Sequence, residues 1–287
     1  MNPINPLYLN GSVTCIEEFT TSEICEAYQN QLDFDVSRFF KEVDLVKLYE
    51  CKTTGYRFFH PFTTVGDAKF YKDLSLHRKN YYSERWEHLQ TLNKIKSKEK
   101  VLEIGSGFGV FLELLSKKQV ISEGLELNPE AILVCNNKGL KVHDTLIQEF
   151  VLENDDKFDV VCSFQVLEHI TEVYSFIENS IKALKCNGKL VFGVPNNNPY
   201  LFVNDKYHTL NLPPHHAGLW NEQSFKSITK IFNLELDSIE FEPLENSYQQ
   251  FLNAHIQNSG FLKKKILKIL NKICPKLLKR ILCKFIR

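Results

Sequence analysis

No two of the eight cysteines stand as Cys-x-x-Cys, and scattered thiols suit a reduced, cytosolic protein better than a disulfide framework. The opening Met1-Asn2-Pro3-Ile4-Asn5-Pro6 lacks the basic start and apolar run of a secretory signal. Nowhere does an apolar run approach the ~18 residues that cross a bilayer. Net formal charge is zero, so the molecule as a whole has no bias toward nucleic acid. A cytoplasmic location is expected. What the chain does have is length for a substantial interior and an aromatic content of 12%, on the high side for a soluble globular protein.

The most informative stretch is Val101-Leu102-Glu103-Ile104-Gly105-Ser106-Gly107-Phe108-Gly109-Val110-Phe111-Leu112. An apolar run carries an acid at Glu103, three glycines alternate, and a new apolar-periodic segment begins. Glycines at a strand-to-helix junction let the backbone turn tightly and let a ligand approach closely. The dinucleotide pattern G-x-G-x-x-G would need its third glycine at position 110, which is Val110. From 96 to about 200, strand-like and helix-like runs alternate, the rhythm of a parallel sheet with helices on both faces. Gly124-Leu125-Glu126-Leu127-Asn128, Val142-His143-Asp144-Thr145 and Phe158-Asp159-Val160-Val161-Cys162-Ser163 read as successive strands, and Gly188 through Pro195 as the next.

Taken in order, these segments resemble the class I S-adenosylmethionine-dependent methyltransferases, in particular the ubiquinone-biosynthesis-like group, over roughly residues 96 to 245. The resemblance implies an α/β fold, a Rossmann-like doubly wound and mostly parallel sheet, with S-adenosylmethionine as cofactor. It places Glu103, Gly105, Ser106, Gly107 and Gly109 in the glycine loop. It gives Glu126 to the ribose hydroxyls and Asp144 to the adenine amine, with Leu127, Thr145 and Gln165 beside the cofactor.

Methyl transfer to oxygen needs donor and acceptor held in line and a base for the acceptor's proton. Histidine is the residue suited to that at neutral pH. Glu168-His169 follows the fourth strand. Related enzymes carry Glu-x-x-Glu-His there, a set that can hold a divalent metal, whereas this chain has the weaker ligand Gln165 as first member. His169 is either a base or a structural histidine fixed by a backbone carbonyl. Leu212-Pro213-Pro214-His215-His216-Ala217-Gly218-Leu219-Trp220 lies beyond the fifth strand. Prolines stiffen the approach to two adjacent histidines, and Trp220 would wall an acceptor pocket. His215 or His216 is the leading candidate for the base. Asn196-Asn197-Asn198-Pro199-Tyr200 follows Pro195, and the amine-gathering signature of nitrogen methylases is missing after the fourth strand. The expected reaction is therefore methylation of a hydroxyl on a small molecule, glycan or lipid-linked acceptor. A membrane or assembly protein with a vestigial fold is the alternative, and a nucleic-acid methylase a more remote one.

Flanking regions set the expected boundaries. Residues 1–70 read as a cap with a short hairpin around Gly55, and 71–95 as a helix leading into the core. The cofactor domain runs over 96–257 and a tail over 258–287. The helical reading begins at Lys69, and its Tyr81 or Tyr82 would lie against the sulfonium or the substrate, or simply pack. Similar enzymes carry a zinc ribbon near the hairpin. Here Thr54 takes the place of the second cysteine, and Cys15, Cys25 and Cys51 are too few and wrongly spaced, so no metal is expected. Leu234 to Glu242 reads as a later strand ended by Pro243.

Charge is unevenly spread. Residues 261–287 hold eight Lys, two Arg and no acid, leaving 25 basic and 35 acidic side chains elsewhere. Leu262, Ile266, Ile269, Leu270 and Ile273 share one helical face opposite Lys264, Lys265, Lys268 and Lys272. After Pro275 a second segment sets Leu277, Leu278, Ile281, Leu282, Phe285 and Ile286 against Lys276, Lys279, Arg280, Lys284 and Arg287. Such a stretch lies on an anionic membrane, for instance the inner face of the cell membrane, or packs on the acidic domain or in a dimer. No nucleic-acid partner is expected, and oligomeric state is left open.

Overall fold

The computed structural model describes residues 2–78, 82–155, 157–196, 207–246, 248–257 and 259–285. Two sheets organise them. The central sheet holds β4 (Lys100–Ile104), β5 (Ile121–Leu125), β6 (Val142–His143), β7 (Phe158–Phe164) and β8 (Leu184–Gly193). All pair in parallel, in the order β6-β5-β4-β7-β8. The crossovers are helices α4 (Val110–Lys117), α5 (Pro129–Asn137), α6 (Ile147–Glu153) and α7 (Val173–Lys182). Side chains of a strand alternate between faces. Leu102, Ile104 and Val161 accordingly enter one apolar cluster, while Val101, Val160, Cys162 and Phe164 enter another on the opposite face. Burial on both faces is what a parallel sheet requires. Strand order reverses between β4 and β7, and ligands of such sheets bind outside the carboxyl ends at that point.

The second sheet is antiparallel, with β1 (Val13–Thr20), β2 (Leu45–Cys51), β3 (Arg57–His60) and β9 (Gly218–Leu219) in that spatial order. The hairpin expected around Gly55 is β2–β3, and Gly55 takes φ +68° in its turn. Its fourth strand comes from the far side of the sequence, after β8. Helix α1 (Thr21–Leu32) begins in a capping box between Thr20 and Glu23 and lays Ile24, Ala27 and Tyr28 on this sheet.

Three sequence expectations need correction. Residues 69–95 form two helices, α2 (Ala68–His77) and α3 (Trp86–Lys94). Arg78 leaves helical space at φ −113°, ψ 101°, and Arg85 is extended as the N-cap of α3. Residues 234–242 form no strand: Leu234 packs on the core and Lys94 bonds Ser238 and Glu240, with no ladder to a neighbour. Trp220 is fully buried against Tyr56, ring centroids 4.5 Å apart, and lies outside the lining of the cleft at the strand ends. Helix α8 (Glu222–Ile231) follows it, capped by Asn221. Residues 197–200 and Tyr81 lie outside the described residues.

The tail forms α9 (Tyr248–Gln257), α10 (Phe261–Ile273) and α11 (Pro275–Phe285). Pro275 opens α11, where its missing N–H costs nothing. Tyr248, Leu252, Ile256, Leu267 and Leu278 form an apolar cluster of their own.

Candidate active site

A cleft of about 520 Å³ opens at the carboxyl ends of β4, β5 and β7. The glycine loop forms one wall. Gly105 and Gly107 hold φ of +76° and +51°, a region that favours glycine. A Cβ on Gly105 would stand 2.4 Å from Val166 Cγ2, and one on Gly107 3.0 Å from the Tyr82 ring. Val166 and Tyr82 therefore pack directly on the loop backbone, where neither glycine could carry a side chain without displacing them. Tyr82 also meets Phe108 edge-on at 4.7 Å.

Two carboxyls differ sharply here. Glu126 at the end of β5 accepts the backbone N–H groups of Gly107, Leu127 and Asn128, each at 2.8 Å. It ties the glycine loop to the next strand and keeps one of its four acceptor sites for a ligand. Glu103 is buried, and its Oε2 has no hydrogen-bond partner. Burial, then the nearby Glu126 charge, raises its pKa well above the usual carboxylate range.

Ser106, Leu127, Thr145 and Gln165 also line the cleft. Gln165 sits at φ +56° and donates through Nε2 to Glu87 Oε1 at 3.0 Å. Gly109 is the left-handed N-cap of α4 and acts through the turn, outside the lining. Asp144 is exposed and likewise outside the lining. The expected cofactor residues thus gather on one wall, except these two.

The other wall is histidine. His169, His215 and His216 come from stretches 46 residues apart, yet their ligand-capable atoms all lie within 4.8 Å of one another. His169 donates Nδ1–H to the His215 backbone carbonyl at 2.5 Å, which leaves its Nε2 free. The His215 and His216 rings stack with centroids 4.5 Å apart. Burial holds all three neutral: the pKa of His169 falls to about 4, and His215 and His216 drop well below 6.5. Glu168 is buried with Oε1 3.9 Å from His169 Nε2, and burial pushes its pKa up to about 8.

Sequence reasoning missed the residues that hold this loop. Tyr28 donates its hydroxyl to the carbonyls of Thr209 and Leu212 and accepts the His215 N–H. Tyr71 donates to the His215 carbonyl at 3.1 Å. Phe59 N–H reaches Ala217 O at 2.9 Å, and Ala217 N–H reaches Glu168 O at 2.8 Å. The cap and the core sheet therefore clamp the histidine pair between them. No local pattern marks Tyr28 or Tyr71, whose partners stand more than 140 residues away.

The three imidazoles are close enough to share a metal ion. The Nδ1–carbonyl bond of His169 leaves Nε2 free, as it is in a histidine that ligates a metal or in one that handles a proton.

Residues 76–239 match the family model Methyltransf_23, a methyltransferase domain, over more than half of the chain. The chain belongs to that family. It is an S-adenosylmethionine-dependent methyltransferase. It is 25% identical over 174 residues to a ubiquinone biosynthesis O-methyltransferase of Vibrio campbellii, covering 55% of this chain and 74% of that relative. A protein of the same name from Vibrio vulnificus is 30% identical over 113 residues, covering 37% and 48%. A solved methyltransferase from Archaeoglobus fulgidus superposes with TM-score 0.45 at 19% identity, covering 64% of this chain and 85% of that one.

The site fits S-adenosylmethionine on its own chemistry. Glu103 Oε2 is an orphaned buried acceptor suited to an ammonium, the Gly105–Gly107 backbone lines the cleft, and Glu126 keeps an acceptor site. Bound there, the cofactor supplies a methyl group made electrophilic by its sulfonium.

Proposed function

We propose that the methyltransferase acts on a hydroxyl, with His215 or His216 taking the acceptor's proton. The carrying observation is the buried histidine pair, which lines the same cleft as the glycine loop. Neutral imidazole is the form able to accept a proton. Bound S-adenosylmethionine would supply the electrophilic methyl group, and His215 or His216 would take the proton that the acceptor oxygen gives up on methylation. The chain's part is to orient the acceptor, exclude water and hold that proton. The glycine-loop wall, with Glu103, Gly105, Ser106, Gly107, Glu126, Leu127, Thr145 and Gln165, takes the cofactor. The name of the Vibrio relatives as O-methyltransferases supports an oxygen acceptor, as does the run Gln165-Val166-Leu167 after β7, which lacks the amine-gathering signature. Small molecules, glycans and lipid-linked compounds are the acceptor classes, and the surface of the tail favours the last.

The test is methyl transfer from isotopically labelled S-adenosylmethionine across hydroxyl acceptors of those three classes, with His215→Ala and His216→Ala beside the wild type. Turnover should fall roughly 10²- to 10⁴-fold in the variant that lacks the base, with calorimetric cofactor affinity unchanged. Unaltered turnover in both variants removes the pair from the mechanism.

A further inference from the structure

Helices α10 and α11 bury only part of their apolar surface. Leu267 and Leu278 face the α9 cluster. On the other side of α10, Leu262, Ile266, Ile269 and Ile273 recur at helical spacing and are 71, 48, 46 and 74% exposed. Leu277 and Ile281 are exposed on α11 at 56 and 44%. At 100° per residue, Lys263 borders the α10 row on one side, with Lys265 and Lys272 on the other. An apolar row of this length, rimmed by one sign of charge, marks an interaction surface.

We propose that the exposed row of α10 and α11 docks on an anionic lipid bilayer. Charge selects that occupant. Ten basic side chains and no acid lie within 261–287, so two tails facing each other would repel. Nucleic acid would satisfy the lysines and leave the leucine and isoleucine row in water. A bilayer interface receives both: apolar side chains enter the acyl boundary while lysines meet the headgroups. The row belongs to helices that pack on α9, with Lys279 reaching the Glu245 carbonyl at 2.8 Å. The inference rests on the tail alone and stands apart from the identity of the methyl acceptor.

The test is co-sedimentation of the full chain with vesicles of phosphatidylcholine alone, or of phosphatidylcholine mixed with phosphatidylglycerol. Two double variants accompany the wild type, Ile266→Glu with Ile269→Glu and Lys265→Ala with Lys272→Ala. The wild type should bind only the anionic vesicles and be released by salt. The lysine variant should bind about 25-fold more weakly, about fivefold for each charge removed. The acid variant should lose binding altogether. Calorimetric affinity for S-adenosylmethionine, unchanged in both, shows that each variant is folded. If the acid variant fails that control, the lysine variant, altered only at exposed positions, carries the test alone. Absence of wild-type binding, or equal binding to both vesicle types, overturns the proposal. So does a wild-type dimer, seen by light scattering, that the acid variant breaks while vesicles stay unbound; that result gives the row to a second copy of the chain.

Discussion

His169 donates its Nδ1–H to the backbone carbonyl of His215 at 2.5 Å, and this bond joins the core sheet to the cap. His169 follows β7, while the His215 loop runs on into β9, the outer strand of the cap sheet. The two halves of the molecule thus meet at the residues assigned to proton transfer. The bond also fixes the tautomer of His169, with the proton on Nδ1.

If His169 positions the pair, His169→Ala should lower kcat by roughly ten- to a hundredfold, the scale of an ångström-sized misplacement. Cofactor affinity should hold, because the bond that is lost runs to the His215 carbonyl. An Asn at 169 can place an amide donor where Nδ1 stands and should recover part of the loss. Steady-state kinetics with calorimetry on both variants reads this out; an Asn variant no better than Ala leaves the bond without a catalytic role.

Cofactor binding should depend on the glycine loop. Gly107→Arg puts a long side chain where even a Cβ lies 3.0 Å from Tyr82, and binding should vanish while the protein stays folded. Wild-type binding should also release a proton. Burial and then Glu126 favour the protonated form of Glu103, and an incoming ammonium favours its ionised form. Calorimetry in buffers of differing ionisation enthalpy measures that proton directly; a binding enthalpy independent of buffer means Glu103 does not change state.

The glycine loop was legible because its chemistry is local: Glu103 through Gly109 occupy consecutive positions, and the acid-to-acid step to Glu126 is one βαβ unit. The cap sheet was not. Its closing strand is two residues, Gly218 and Leu219, paired with Phe58 and Arg57 across some 160 positions. A strand that short has no periodicity to read. The same distance hid Tyr28 and Tyr71. Leu234 and Leu236 alternate with acids as a strand would, yet alternation shows only that one face is apolar, and no neighbour pairs with it. The break between α2 and α3 escaped because its residues include no Pro or Gly, the usual punctuation.

Thermal stability should peak near pH 6.5. His88, His169, His215 and His216 all have folded pKa values below the ordinary 6.5. Their contribution is complete above 6.5 and is lost as pH falls from there toward 4, since only the unfolded chain takes up protons. Glu103 and Glu168 act in the opposite sense. Their folded pKa values are raised from the ordinary 4.5, with Glu168 near 8, so their contribution is lost as pH rises from 4.5. With His60 and His255, which burial also lowers, these histidines outweigh the two carboxyls below 6.5, and the carboxyls dominate just above it. Below 4.5 Glu123, pulled down to about 2 by Lys141, His143 and Lys100 against its burial, adds to the acid loss. Melting temperature against pH should trace a dome, and a curve still climbing from 6.5 to 8 contradicts the burial of Glu103 and Glu168.

Chelation separates the two uses of the histidine cluster. Three imidazoles within 4.8 Å invite an ion, and a bound ion would have to take a lone pair from each ring. His169 reaches the His215 carbonyl through Nδ1 and keeps Nε2 free, and the rings of His215 and His216 stack beside it. If the cluster handles protons, turnover should survive exhaustive treatment with a chelator. Added cobalt should then give no visible d–d band, and His216→Ala should be no more sensitive to chelator than the wild type. A turnover lost to chelation and restored by a divalent ion, together with a tetrahedral cobalt spectrum that the His216 variant lacks, would make the same three residues a metal centre and move the search for the base to Glu168.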